Sequence, residues 1–179
     1  FVVIGSGNKL EEDDGRRYKS YFTVLVTDSN GTPVADAEVF LSIYPLLYAK
    51  SLFGFTEDNY ELTPPVYTCN NEDVNRNGIL DVNLGEDINN SGRLEPANVV
   101  TVDKSKLVTD SSGFADFNVV YPIQYAAWIV AEITARTEVA GTESSDTLQF
   151  ETDCSAGDVV KKICPVANPF GINDCSQTN

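Results

Sequence analysis

Residues 21–43 read YFTVLVTDSNGTPVADAEVFLSI, and this stretch decides the fold. From Tyr21 to Asp28 the residues are mostly β-branched or aromatic, and Phe22, Val24 and Val26 fall at alternate positions, on one face of a strand. Ser29-Asn30-Gly31-Thr32-Pro33 is a turn cluster of the Asn-Gly type. Ala37 and Glu38 then lead into Val39, Leu41 and Ile43, a second strand of period two that ends at Pro45.

The same grammar extends outward. Upstream, Phe1-Val2-Val3-Ile4-Gly5-Ser6-Gly7 looks superficially like a dinucleotide loop, but Leu10 stands where a third Gly belongs and a charged run follows. It reads better as an opening strand, joined to the next by a charged linker, Glu11 to Arg17. Downstream, residues 46–68 are aromatic-rich (Tyr48, Phe53, Phe55, Tyr60, Tyr67), broken by Pro64-Pro65 and poor in alternation. They are expected to form an ordered loop lying over the sheets. Val99 to Val102 reads as a short strand and Thr109 to Gly113 as a turn. Phe114 to Tyr121 is a strand with Ala115, Phe117, Val119 and Tyr121 inward. Trp128 to Arg136 places Ile129, Ala131, Ile133 and Ala135 inward and Trp128, Val130, Glu132 and Thr134 outward. Ser144 to Glu151 supplies a last strand with Leu148 and Phe150 inward, and the tail from Thr152 is expected to be irregular but pinned. Many short alternating strands with turn clusters and no helical period predict an all-β antiparallel sandwich.

Between its halves lies a different kind of sequence. Cys69 to Asn98 reads CNNEDVNRNGILDVNLGEDINNSGRLEPAN. Asp73, Asn75 and Asn77 stand two apart, Gly78 follows, and Asp81 comes three later. The pattern restarts at Asp87 with Asn89, Ser91, Gly92 and Glu95, closing at Asn98. This is the spacing of an EF-hand-type calcium loop, in which alternate oxygen side chains converge on the ion, the sixth-position Gly permits a sharp turn, and the seventh residue offers its carbonyl. Those carbonyls belong to Ile79 and Arg93. Leu80 and Leu94, at position eight, would plug each loop into a core. In the first copy Leu84 occupies position twelve, so Val82-Asn83 reads as an insertion that lets Glu86 act as the closing carboxylate. No helical run flanks either loop, which makes them similar to the isolated loops of dockerins and thrombospondin type-3 repeats. The expected cofactor is calcium, two ions held close together.

Composition narrows the function classes. The chain has 179 residues, 42% hydrophobic, with a net charge of −15 and a pI near 4.1. That length suits one domain that can bury a core. Nucleic acid and anionic membrane surfaces would be repelled by such a charge. No apolar run of spanning length is present, so membrane insertion is not expected. The absence of Met and a start at Phe1 inside a strand imply a processed or trimmed product. With no His, Ser-His-Asp and Cys-His catalysis are unavailable, and no carboxylate pair stands in a recognisable constellation, so an enzyme is not expected. Four Cys without His or a CxxC pair favour two disulfides over zinc, and hence export. The expected pairs are Cys69–Cys175 and Cys154–Cys164, with Cys69–Cys154 and Cys164–Cys175 as the alternative that spacing leaves open.

The run Val24 to Val34 followed by Ala37-Glu38-Val39 resembles the first half of a bacterial Ig-like domain of the invasin/intimin type. Val108-Thr109-Asp110-Ser111-Ser112-Gly113-Phe114-Ala115, then Ile129 to Ala135, resembles the second half. The resemblance covers residues 19–44 and 107–151. It implies an Ig-like sandwich at the cell surface or secreted, without catalysis. One domain is expected over 1–179: strands in 1–45 and 99–151, an insertion at 46–98 carrying the calcium loops at 69–98, and a disulfide-pinned tail at 152–179.

Two roles remain open on sequence alone. One is a calcium-stabilised structural or adhesive module of a bacterial surface protein. The other is a carbohydrate-binding or accessory module, with Trp128 and the aromatics of 46–68 as a stacking platform. The apolar strand at Phe1 to Ile4 can fold back on its own sandwich, or complete a neighbour's sheet edge and so build a filament by self-association.

Overall fold

Alternating strands bury one face each only when two sheets stack, and that is how this chain solves the problem. The structure, a computed structural model, describes residues 1–55, 59–139 and 141–178, with all their side chains except that of Asn8. One sheet has four strands in the order β1 (Val2–Asp13), β2 (Arg17–Val26), β7 (Phe114–Pro122), β5 (Thr101–Val102). The other has five: β4 (Tyr60–Asn70), β3 (Glu38–Phe55), β8 (Ile129–Val139) and β9 (Thr142–Glu151) in order, with β6 (Lys106–Val108) also pairing β3. All pairings are antiparallel. The all-β sandwich expected from the alternation is the fold.

The inward faces are those the alternation assigned. Phe22, Val24, Val26, Phe117, Val119, Tyr121, Ile129, Ala131, Ile133 and Ala135 are all buried. Phe22 of β2 stacks on Phe117 of β7, centroids 5.6 Å apart, and meets Phe150 of β9 edge-on at 5.2 Å, joining the two sheets. Gly113 at the turn has φ +76, and its N–H donates to the carbonyl of Asp110.

Four expectations are corrected. The second strand does not stop at Pro45. β3 continues to Phe55 through register shifts at Pro45/Leu47 and Lys50/Leu52, and the described part of 46–68 is strand, the ends of β3 and β4, rather than a draped loop. Residues 56–58 of that stretch lie outside the described residues. The run Glu11 to Arg17 is not a linker but a hairpin, with Asp13 paired to Arg17 across the Asp14-Gly15 turn. Trp128 is not outward. It is 1% exposed, packs against Phe53 at 5.9 Å and donates from Nε1 to the carbonyl of Val166 at 3.2 Å. The tail is less irregular than expected, since it carries a one-turn helix, α1 (Ala156–Val160), capped by Ser155.

The tail is pinned by both expected disulfides. Cys69 bonds Cys175 with a Cα separation of 5.5 Å, and Cys154 bonds Cys164 at 5.7 Å. Inside this frame Tyr18 donates to Asp158 Oδ2 at 2.6 Å, and Phe170 packs on Tyr48 at 4.7 Å. The N-terminal strand is paired within its own chain, Val2 opposite Val26 and Ile4 opposite Val24. No described helix is long and apolar enough to cross a membrane.

Candidate metal centre

Residues 71–98 leave the sheet where β4 ends and are docked onto β3. Asn71 N donates to the carbonyl of Leu46 at 2.9 Å, and its Nδ2 donates to that of Pro45 at 2.6 Å. The Tyr44 hydroxyl donates to the Asp73 carbonyl at 2.5 Å, while the Arg76 guanidinium lies 4.1 Å from the Tyr44 ring centre.

The two loops repeat one geometry. In the first, Asp73 accepts from Asn77 N at 3.0 Å and Gly78 N at 2.9 Å, and Asn75 Oδ1 accepts from Asn77 N at 3.0 Å. In the second, Asp87 accepts from Gly92 N at 3.1 Å, and Asn89 Oδ1 accepts from Ser91 N at 2.9 Å. The fourth residue of each is left-handed, Arg76 at φ +59 and Asn90 at +58, and so are Gly78 at +74 and Gly92 at +76. The polar side chains then turn inward. Asn75 Nδ2 and Asn77 Nδ2 both reach Asp81 Oδ2, at 2.7 and 2.8 Å. Asn89 Nδ2 reaches Glu95 Oε2 at 2.8 Å, and Ser91 Oγ lies 3.0 Å from the Arg93 carbonyl and 3.4 Å from Asp87 Oδ1. Positions three, five and nine meet in loop one. In loop two position three meets nine, and position five meets one and seven.

Three candidate residues make contacts that their sequence assignment did not include. Glu86 does reach loop one, but its two oxygens accept from the N–H groups of Val74 at 3.0 Å and Asp81 at 2.7 Å, so it closes the loop through the backbone. Asn98, the expected last position of loop two, stands beside loop one, where a Cβ on Gly78 would lie 3.2 Å from its Nδ2. Ile79 has its N–H on Asn77 Oδ1 at 2.7 Å, and its side chain is exposed. Leu80 and Leu94 are half-buried.

The residue that sequence reasoning missed is Glu72. It is wholly buried, and its carboxylate accepts from Ile88 N at 3.0 Å, Asn89 N at 3.4 Å and Glu95 N at 3.0 Å, all in loop two. Burial pushes its carboxyl up and the nearby Glu95 charge adds to this, against the N–H donors that pull it down. The signal was present in the sequence. EDVNRNGILD at 72–81 and EDINNSGRLE at 86–95 are one ten-residue pattern, but Glu72 precedes the first position of the calcium template and so falls outside it.

Burial in this region is inverted. Glu72, Asp73, Glu86, Asn89 and Glu95 are each at most 4% exposed, whereas Val74, Ile79, Val82, Leu84 and Ile88 are exposed. Four of those buried groups are carboxylates, and the ion pair recorded for them is Arg93 to Glu95 at 3.0 Å. Buried charge is costly unless hydrogen-bonded, paired or bound to a metal, and here N–H donors meet all four while one of them has a cationic partner. The donor set of carboxylate, amide, hydroxyl and carbonyl oxygens, without sulfur or imidazole, fits a hard cation such as calcium. Among the described residues no three Asp, Glu, Cys or His side chains are drawn into one shell. The convergent group of loop one is a single carboxylate with two amides.

No family model matches the chain, and no curated protein matches it. Among solved structures, the crystal structure of the outer membrane decaheme cytochrome OmcA is similar at 10% identity with a TM-score of 0.27, over 84% of this chain and 23% of that one. A likeness at that level carries no functional argument.

Proposed function

We propose that the chain is a non-enzymatic, extracellular structural or adhesive Ig-like module of a bacterial surface protein, whose tandem loops bind two calcium ions and are stiffened by them. The observation that carries this reading is the inverted burial of the loops, where carboxylates lie inside and aliphatic side chains outside. A chain segment adopts that arrangement when the interior is organised around cations rather than around a hydrophobic core. Asp73, Asn75, Asn77, Asp81 and the Ile79 carbonyl would hold one ion. Asp87, Asn89, Ser91, Glu95 and the Arg93 carbonyl would hold the other, and calcium supplies positive charge to an interior that has almost none. The two disulfides point to a non-cytoplasmic location, which a calcium-dependent module requires. Trp128 and Tyr48, each 1% exposed, are not available for stacking on a sugar, which takes the tryptophan out of the carbohydrate-binding alternative.

Limited proteolysis tests this function. Chelation should open cleavage sites within residues 69–98 while the β-sandwich core stays resistant, and calcium should close them again. Saturation at a hundredfold over Kd should stabilise by about 2.7 kcal/mol per independent site. Cleavage that is indifferent to calcium would sink the proposal.

A further inference from the structure

Glu72 and Glu86 are exchanged between the loops. Glu86 belongs in sequence to the start of loop two, yet its carboxylate accepts from Val74 N and Asp81 N of loop one. Glu72 belongs to the start of loop one, yet it accepts from Ile88 N and Glu95 N of loop two. Val74 and Ile88 are equivalent residues of the repeat, and so are Asp81 and Glu95. The two carboxylates therefore make the same pair of contacts, each in the other's loop. The main chain adds a further tie, from Glu72 N to the Glu95 carbonyl at 2.9 Å. Both glutamates are at least 97% buried, so neither contact is open to competition from water.

From this exchange we infer that the two loops load calcium as one cooperative unit, with Glu72 and Glu86 as the positioning residues that couple them. This rests on the calcium reading above. The residue after each glutamate is the first cation-binding residue of its own loop: Asp73 follows Glu72, and Asp87 follows Glu86. Ordering loop two around an ion clamps the Glu72 carboxylate, and the next peptide unit then sets Asp73 for loop one. Ordering loop one clamps Glu86 and sets Asp87 in the same way. Each ion lowers the ordering cost of the other site, which is a coupling free energy and is reciprocal. The glutamates themselves spend both oxygens on N–H groups, so their role is to position the loops.

The test is a titration of the intact, oxidised chain with calcium by calorimetry and with terbium by luminescence. Tyr44, whose hydroxyl donates to the Asp73 carbonyl, is placed to sensitise terbium bound in loop one. Wild type should take two ions with a Hill coefficient above 1. Glu72→Gln keeps the size of the side chain but turns an NH2 toward an N–H donor in loop two. It should weaken terbium binding in loop one as well, by about tenfold, within the usual range for coupled sites. Glu86→Gln should weaken loop two to a similar degree, and Glu72→Asp should restore part of the coupling. Unchanged circular dichroism would show that the sandwich is intact in each variant. If Glu72→Gln loses one ion while loop one titrates as in wild type, the loops are independent and the inference is wrong, although the calcium reading stands. If wild type binds neither cation, both fall together.

Discussion

At the scale of single residues, Gly113 shows how little freedom the turn leading into β7 allows. Its φ is +76, and a Cβ there would stand 2.7 Å from the Val26 carbonyl oxygen and 3.0 Å from Pro33 Cβ. Gly31 has a similar φ of +82, but a Cβ there would meet nothing within 4 Å. Gly113→Ala should therefore destabilise by about 2–4 kcal/mol, combining left-handed strain with a backbone clash, and Gly31→Ala by about 1 kcal/mol from strain alone. Chemical denaturation of the two variants measures the difference, and equal costs would contradict the close approach of this turn to β2. Trp128 and Glu72 lie where neither strand alternation nor the calcium-loop spacing puts them. Alternation set Trp128 outward because it precedes Ile129, but Ala127 at φ +70 interrupts the strand geometry and the tail covers the indole. Glu72 falls outside the loop template because it precedes the first position, and its partners lie in the other copy, 16 to 23 residues away.

At the scale of elements, β1 is held along both edges. It aligns with β2 from Val2 to Asp13, and its opposite edge is not bare, since Val2 N donates to Ser144 Oγ at 3.1 Å and Ile4 N to Asp146 Oδ2 at 2.8 Å. Side chains of β9 thus take up N–H groups that an added strand would need. Deleting residues 1–7 removes buried Val2 and Ile4 and should lower stability by several kcal/mol, at the rate of about 2–5 kcal/mol per large aliphatic lost. A truncated chain with an unchanged urea midpoint would show that β1 is not part of the fold. β2, β7, β8 and β9 were legible because their alternation is unbroken. The far halves of β3 and β4 were not, because two register shifts move the aromatic positions from one face to the other and Pro45 resembles a stop. The hairpin at Asp14-Gly15 was hidden by its charges, three of which are satisfied locally where Arg17 meets Asp13 and Asp14 at 3.0 Å each.

At the scale of the whole molecule, tyrosines and disulfides set the limits of stability. Burial raises the hydroxyls of Tyr18, Tyr48, Tyr60 and Tyr121 well above the ordinary value of 10.0. A raised acid keeps its proton longer when folded, so the native state binds more protons than the unfolded one above pH 10. That contribution is complete below pH 10 and is lost as pH rises beyond it. Absorbance titration should therefore show these four ionising only with unfolding, whereas reversible ionisation of all eight tyrosines near pH 10 would contradict their burial. The disulfides divide the work unequally. Replacing Cys69 and Cys175 by Ser opens a 106-residue separation and should cost about 5 kcal/mol, against about 3 kcal/mol for Cys154 and Cys164 with their separation of 10. The charge of −15 leaves the molecule self-repelling, and the buried carboxylates of 71–98 concentrate that cost in one place. Bound calcium, as proposed, would offset both. The most direct measurement is calorimetric titration of chelator-treated protein with calcium, with the bound ions counted by native mass spectrometry. The account predicts two ions per chain, both lost on adding chelator; no binding at millimolar calcium would contradict it.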